Sequence, residues 1–437
     1  MRRRIVVTEN QPIDHVTAQE AQIIRKRLDE LEAELKPRLS FLAPGSRLLI
    51  RNLVGAIQVN RDIVLDVAPK VADTTNWAGA LVDLLLPPTR VTYGDESNEG
   101  EHLPARRLPD AFAELYLRQL GQALRKDGPL AAIRTHHASA PSLAGRLDVS
   151  QWVRRRALKP AEFPQYRSVL SVDNPFTGLL AAVSELLASQ ASNPRISSAL
   201  RALSGRLRPG LAPHVLLDPA AALRDVPPQW SAYGPAWATA RAVVRRIAPL
   251  RRNGQLEGLN VALEPWPLLE TLLERSLHAV GNAAARQGHP GLRGLGHTGT
   301  YLLRKPIGVT TPEAAAFHVR GTVDPDGILK RGGEVIATFE AKYSTPSDGG
   351  IRSHAFQALT TAAALHSPLA VLVYPTNFEA VQWELTGFTG RPRRLVAVGL
   401  DMYNYRAPNG AQTRADRLLR AVTSALSSDS SPAYSMS

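Results

Sequence analysis

The residues whose types and spacing best suit chemistry lie between Val323 and Tyr343 of this 437-residue chain. Val323-Asp324-Pro325-Asp326-Gly327-Ile328-Leu329 is followed by Glu334-Val335-Ile336-Ala337-Thr338-Phe339-Glu340-Ala341-Lys342-Tyr343, with Lys330-Arg331-Gly332-Gly333 between them as a hairpin turn. Side chains alternate along a strand, so Ile336, Thr338, Glu340 and Lys342 share one face. A three-residue loop at 332–334 would set Asp326 directly opposite Glu340. A two-residue loop shifts it by one position and then calls for a bulge. Two carboxylates and the Ala341 carbonyl offer hard oxygen ligands suited to Mg²⁺ or Mn²⁺. Such an ion lowers the pKa of a bound water and stabilises charge during in-line displacement at phosphorus. Lys342, beside Glu340, can orient that water or support the phosphate charge. The expected core is Asp326, Glu340 and Lys342, with Asp326, Glu340 and Ala341 as metal ligands. Asp-Pro-Asp-Gly alone is a common turn, and Glu-x-Lys alone is usually a solvated strand face. Their register across one hairpin is what points to chemistry.

The flanking elements must position these groups. Upstream, Trp266-Pro267-Leu268-Leu269-Glu270-Thr271-Leu272-Leu273-Glu274-Arg275 reads as a helix start, with Glu270 and Glu274 stacked at i,i+4. Glu270 is a candidate outer ligand, although a carboxylate near a helix N-terminus is also favoured by the macrodipole. Downstream, His354-Ala355-Phe356-Gln357-Ala358-Leu359 opens a helix, with Gln357 as a supporting candidate, and Leu369-Ala370-Val371-Leu372-Val373-Tyr374-Pro375 is an apolar strand. This helix, hairpin, helix, strand order is compatible with the αβββαβ core of PD-(D/E)xK nucleases, and an α/β domain of that kind is expected.

Residues 17–36 carry Ile23, Ile24, Leu28, Leu31 and Leu35 at helical spacing before Pro37. Arg47-Leu48-Leu49-Ile50, Gly55-Ala56-Ile57-Gln58-Val59 and Ile63-Val64-Leu65-Asp66-Val67 read as short strands, the last two joined through Asn60-Arg61-Asp62. The pattern then turns helical. The predicted organisation is an N-terminal helical arm (1–40), a β-rich partner-docking module (41–104), a helical connector (105–257), the nuclease domain (258–405), and a C-terminal helix with a flexible tail (406–437), the tail beginning near Ser424.

Bulk composition bounds the partners. Lys and Arg number 52 against 39 Asp and Glu, a net charge of +13 that favours a polyanion, although arginine-rich composition throughout can produce the same excess. Cysteine is absent, which excludes disulfides, cysteine-ligated zinc and cysteine nucleophiles. No apolar run is long enough for a bilayer, and the stretch after Arg2-Arg3-Arg4 is too short for a secretory signal, so a cytoplasmic setting without membrane contact is expected.

The chain resembles the McrC family, nuclease subunits of McrBC-type restriction systems directed at modified (5-methylcytosine) DNA. The family's Pro-Asp and Asp/Glu-x-Lys-Tyr pattern is matched by Pro325-Asp326, Glu340, Lys342 and Tyr343. Leu268-Leu269-Glu270, Gln357 and Leu372-Val373-Tyr374-Pro375 resemble its flanking segments. In the front half, Gly55-Ala56-Ile57, Val67-Ala68-Pro69-Lys70-Val71, Leu143-Ala144-Gly145-Arg146-Leu147-Asp148-Val149 and Asp173-Asn174-Pro175 look like further family segments. The resemblance spans roughly 45–380. It departs at Thr361, where the family often has Tyr, and at Ser344, where a basic residue is usual. It implies a Mg²⁺- or Mn²⁺-dependent DNA endonuclease, supported by Glu270, Gln357 and Tyr343, that docks through its N-terminal β-rich domain on a separate McrB-like AAA+ GTPase and stimulates it. No Gly-x-x-x-x-Gly-Lys-Ser/Thr loop is present, so the chain itself is expected to bind no nucleotide. The competing readings are a non-catalytic adaptor that only activates an AAA+ motor, and a stand-alone DNA repair nuclease. Arg154-Arg155-Arg156, Arg245-Arg246, Arg251-Arg252 and Arg391-Pro392-Arg393-Arg394 are candidate phosphate contacts, none assigned. His136-His137, with no third ligand at metal spacing, reads as surface or packing.

Overall fold

The computed structural model describes residues 3–35, 37, 40–45, 47–60, 62–71, 77–86, 107–210, 220–246, 249–252, 255–259, 261–297, 299–301, 322–346, 351–386 and 390–427. They form two compact units. One gathers the described residues of Met1–Leu85 and Ala262–Ser437, the other Leu86 and those of Arg107–Val261. These units cut across the predicted boundaries, because the middle of the chain leaves the first unit and the last part returns to it. Compactness is decided by contacts between distant segments, which a pattern read along the chain does not register.

The first unit opens with β1 (Arg3–Thr8), α1 (Ala18–Leu35), β2 (Val54–Gln58), β3 (Ile63–Ala68) and α2 (Trp77–Leu85). Helix α1 starts at a capping box: the Thr17 N–H donates to Glu20 at 2.8 Å and the Glu20 N–H to the Thr17 hydroxyl at 3.2 Å. Its Ile24, Leu28 and Leu31 are buried, the helical stripe read from the sequence. The turn between β2 and β3 is held by Asn60, whose side-chain oxygen accepts from Asp62 N–H at 2.9 Å and Ile63 N–H at 2.8 Å. The expectation of a purely helical arm over 1–40 is corrected by β1, which lies parallel to β3 from Arg3↔Ile63 to Thr8↔Ala68. So short a strand shows no usable period, and its partner is far along the chain.

The second unit contains α3 (Leu108–Asp127), β4 (Ala132–Ala140), β5 (Arg146–Leu147), α4 (Val149–Arg155), β6 (Phe163–Ser171), α5 (Pro175–Gln190), α6 (Pro194–Leu207), α7 (Gly234–Arg246), β7 (Pro249–Arg252) and β8 (Gln255–Leu259). Helices α3, α5, α6 and α7 pack together, with the buried Tyr116 hydroxyl donating to the Leu180 carbonyl at 2.9 Å. Helix α5 begins at Asn174, whose side chain accepts from the Phe176 and Thr177 N–H groups, both at 3.1 Å. The connector is not wholly helical: β4 and β6 pair antiparallel along Ala132↔Ser171 to Ala140↔Phe163, with β5 on the other edge of β6. Ala-Ile-Arg-Thr-His-His-Ala-Ser-Ala in β4 has no clean apolar alternation, because most of its residues are exposed. The paired strands bring Asp148 to His137 at 3.3 Å and stack Arg146 on Tyr166, so these segments serve local structure.

The chain returns with β9 (Val261–Leu263), α8 (Trp266–Arg286), β10 (Leu292–Leu295), β11 (Thr300–Tyr301), β12 (Thr322–Val323), β13 (Gly327–Arg331), β14 (Glu334–Ala341), α9 (Ile351–Ala364), β15 (Leu369–Tyr374), β16 (Val381–Glu384), β17 (Arg394–Gly399) and α10 (Gly410–Ser427). Strand β9 completes a sheet of order β1-β3-β2-β9, while β10-β13-β14-β15-β17-β16 form a second, mixed sheet. Helix α9 covers one face of the second sheet, setting Ala358, Leu359 and Ala362 against Ala370, Leu372, Tyr374, Leu395 and Ala397. Helices α8 and α10 pack on each other, α8 also against β10 and β13, and α10 against β17. Helix α10 runs on to Ser427, past the expected start of a tail at Ser424. No helix among the described residues is long and apolar enough to cross a membrane.

Candidate active site

The β13–β14 hairpin is closed by Arg331↔Glu334, so its loop is the two residues Gly332 and Gly333, with φ of 56° and 95°. Both conformations lie where glycine is at ease, as a tight hairpin requires. The loop alone would leave Asp326 one position out of step. A register shift between Leu329↔Ala337 and Lys330↔Val335 makes Ile336 an extra residue and restores the pairing Gly327↔Phe339. One further step in that register brings Asp326 level with Glu340. An Asp326 carboxylate oxygen accepts from the Ala341 N–H at 2.7 Å.

On the face covered by α9, Glu340 is almost wholly buried. Its Oε2 accepts from the Lys342 ammonium at 3.2 Å and the Gln357 amide at 2.9 Å, and its Oε1 from the Thr361 hydroxyl at 3.0 Å. Gln357 closes the group by accepting from Lys342 Nζ at 2.8 Å. Lys342 is thus aimed by two acceptors, and its own N–H continues the sheet to the Val373 carbonyl at 2.8 Å. Thr361, noted in the sequence only as a departure, stands one helical turn beyond Gln357 and fills Glu340's remaining oxygen.

Across the sheet, α8 must approach closely. A Cβ on Gly327 would collide with Leu277 Cδ1, and one on Gly294 with the Leu277 backbone. The glycine after Asp326 therefore does more than complete a turn: it admits the helix that carries Glu270 two turns before Leu277. Glu270, His297 and Asp326 each offer one ligand atom, all within 4.8 Å of one another. The two nitrogens of His297 lie 3.9 Å from Glu270 and 3.9 Å from Asp326, respectively. Sequence reading missed His297, which follows β10 in a loop and carries no periodic signal. Glu274, the other candidate on α8, is exposed, and its side chain lies next to Gly296.

Burial pushes the Asp326 carboxyl up. The Ala341 N–H, Lys342 and His297 pull it back, and Asp324 adds to the rise. Burial likewise raises Glu340, opposed chiefly by Lys342 and reinforced by Asp326. Carboxylates that burial makes harder to ionise are stabilised by a nearby cation. Two carboxylates and an imidazole converging on one point fit a divalent ion that accepts oxygen and nitrogen donors. Glu270, His297 and Asp326 could hold it. The Glu340 oxygens accept from three side chains, Lys342 among them, and the Ala341 N–H donates to Asp326. Tyr343 points away from this cluster, its hydroxyl 3.0 Å from Glu9 and 2.8 Å from Tyr403.

Fold and site together define a mixed α/β protein whose acidic and imidazole donors meet at the open end of a hairpin, next to an oriented lysine. Residues 48–215 match the family model described as McrBC 5-methylcytosine restriction system component. The match ends before the site, which lies wholly in the later part of the chain. A chain of the refined half-complex from a tetradecameric assembly of Thermococcus gammatolerans McrB AAA+ hexamers with bound McrC has the same fold. It is 15% identical with a TM-score of 0.60, over 96% of this chain and 99% of that one. A chain from the cryo-EM structure of the Thermococcus gammatolerans McrBC complex is 17% identical with a TM-score of 0.44, over 63% of this chain and 87% of that one. No curated protein matches.

Proposed function

We propose that the chain is a McrC-type subunit, a divalent-metal-dependent endodeoxyribonuclease of the PD-(D/E)xK kind that works with a separate AAA+ GTPase. The carrying observation is the meeting of Glu270, His297 and Asp326 next to a lysine held by Glu340 and Gln357. The order α8-β10-β13-β14-α9-β15 supports it, being the helix, three strands, helix and strand expected of that core. A bound Mg²⁺ or Mn²⁺ would supply Lewis acidity, activating water and balancing charge on the scissile phosphate. Glu270, His297 and Asp326 would hold the ion. Lys342 would place its ammonium against the phosphate as negative charge builds there, where a fixed donor costs no reorganisation. Glu340, Gln357 and Thr361 would keep that ammonium aimed. The net charge of +13 suits DNA as the substrate.

The similar assembly holds McrC bound to McrB AAA+ hexamers, and a motor of that type is the proposed partner. The N-terminal sheet was the expected docking module, but β2 is buried along its whole length and β3 along all but its last residue. The β4-β6-β5 sheet offers a better surface. Ile133, Leu170, Leu143 and Val153 are exposed there or on the adjoining loop and helix, with Arg134 and Arg154 among them.

The test is cleavage of methylated duplex DNA with Mn²⁺ and the partner motor, alongside Mn²⁺ calorimetry on the chain alone. Asp326→Asn and Lys342→Ala should abolish cleavage with the fold intact, and Asp326→Asn should also weaken ion binding. Full cleavage by either variant would leave an adaptor. Cleavage by the wild-type chain without motor or GTP would favour a repair nuclease.

A further inference from the structure

Two sequence segments that carry the family resemblance, Val67-Ala68-Pro69-Lys70-Val71 and Lys342-Tyr343, lie far apart in the chain and meet within the first unit. The Lys70 ammonium sits over the Tyr343 ring, 5.1 Å from its centroid. The Tyr343 hydroxyl donates to Glu9 at 3.0 Å, so the contact with the Tyr403 hydroxyl at 2.8 Å is one in which Tyr403 donates. Glu9 is completely buried. Its carboxylate also accepts from the backbone N–H of Asn52 at 2.6 Å and of Lys70 at 3.4 Å. The Glu9 N–H donates to the Ala68 carbonyl at 2.8 Å, prolonging the β1–β3 pairing to this point. The carboxylate is therefore fixed by the outgoing ends of the N-terminal sheet. A buried carboxylate without donors is costly, so Glu9 strongly favours the arrangement in which Tyr343 reaches it.

Tyr343 immediately follows Lys342, and neighbouring side chains on extended backbone point to opposite sides. Lys342 is held on one side by Glu340 and Gln357, while Tyr343 is held on the other by Glu9, Lys70 and Tyr403. This grip falls where β14 leaves its sheet, just after the last pair, Ala341↔Val373. A strand end is where backbone position is least constrained, and here the adjacent side chain belongs to the proposed chemistry.

We propose that Glu9, Lys70 and Tyr343 form a positioning clasp that fixes the end of β14 and thereby the Lys342 ammonium. The N-terminal sheet is then a working part of the nuclease half. The inference rests on the reading of Asp326 and Lys342 as nuclease residues.

The experiment measures single-turnover cleavage with Mn²⁺ and the motor, together with DNA affinity and the thermal midpoint, for the full chain and its variants. Tyr343→Phe keeps the ring and removes only the hydroxyl, and Glu9→Gln keeps the shape. Each should slow the cleavage step about 10- to 100-fold with DNA affinity unchanged, since displacement of about 1 Å has that effect. The double variant should be no slower than the slower single one, because both weaken the same Tyr343–Glu9 contact, one by removing the donor and the other by removing the charge and one acceptor oxygen. Asp83→Asn is the control. Asp83 meets Arg406 at 3.0 Å, an ion pair tying the same two stretches of chain together elsewhere. It should lower the midpoint without slowing cleavage. If Glu9→Gln does not fold, Tyr343→Phe and Lys70→Met decide. Wild-type rates in Tyr343→Phe and Glu9→Gln beside an inactive Asp326→Asn overturn the clasp alone. Slowing that merely follows the midpoint, Asp83→Asn included, overturns it too. An active Asp326→Asn overturns the nuclease reading on which the clasp rests.

Discussion

Two sheets in this molecule treat the same secondary structure in opposite ways. In the N-terminal sheet, Val54–Gln58 is buried at every position, and Leu65 is wholly enclosed. In the β4-β6-β5 sheet, Ile133 and Leu170 are about three-quarters exposed, and no position of β4 is buried. Both sheets fall mainly within the segment that matches the family model, yet burial assigns them different work. The enclosed sheet reaches, through Glu9 and Lys70, the strand end that carries Lys342. The open sheet presents apolar and basic side chains outward, as a surface meant for another macromolecule does. Where apolar side chains are hidden they stabilise a fold, and where they are displayed they are available for binding.

The sharpest break of this contrast comes from the site itself. Asp326→Asn or Lys342→Ala should cut the cleavage rate on the order of 10³-fold while GTP hydrolysis by the motor is still stimulated, read in parallel cleavage and phosphate-release assays. Loss of both activities together would show that the two halves are not separable. Next in size is stability. Leu65→Ala should cost about 2–5 kcal/mol in urea unfolding, as cavities in closed cores do. Ile133→Ser or Leu170→Ser should stay within about 0.5 kcal/mol and instead weaken motor binding about tenfold or more by surface plasmon resonance. If the exposed variants unfold the protein and bind normally, the assignment of the open sheet is wrong.

A finer test is His297→Ala, which should weaken Mn²⁺ binding about tenfold or more in calorimetry, with a smaller change for Mg²⁺ because the lost donor is nitrogen. Equal loss for both ions would remove the imidazole from the ligand set. The smallest effect concerns acid. Chiefly the Arg208 hydrogen bond, and then Arg134, outweigh burial and hold Asp173 below the usual carboxylate range. Its folded value is depressed, so its contribution to stability is complete above the ordinary value. That contribution fades as pH falls through the lowered one. Asp173→Asn should therefore lower stability at neutral pH by that contribution and flatten the acid limb, the variant and wild-type curves converging as pH falls through the lowered value in urea unfolding at a series of pH values.

Much of the site could be read from the sequence because strand alternation is local. It placed Glu340 and Lys342 on one face, and the competing loop lengths already implied a bulge if the loop had two residues. The bulge at Ile336 could be named only once the loop was seen. The i,i+4 spacing to Glu274 near the start of α8 likewise marked Glu270, whereas Gln357 was matched through the family resemblance. His297 and Glu9 gave no such signal: one lies in a loop after β10, the other just beyond a short strand, and each acquires meaning only from groups distant in the chain. Thr361 was visible only as a departure, and its bond to Glu340 became evident from the packing of α9.

The sequence by itself determined the local elements, the carboxylates and lysine on their hairpin, the absence of cysteine chemistry and the family likeness, because these depend on neighbours within a few residues. Tertiary structure alone decided that β1 joins β3, that His297 completes the donor group, and that one sheet is enclosed while another lies open. Those outcomes depend on which distant surfaces exclude water from each other, and no period of two or of 3.6 residues records that choice.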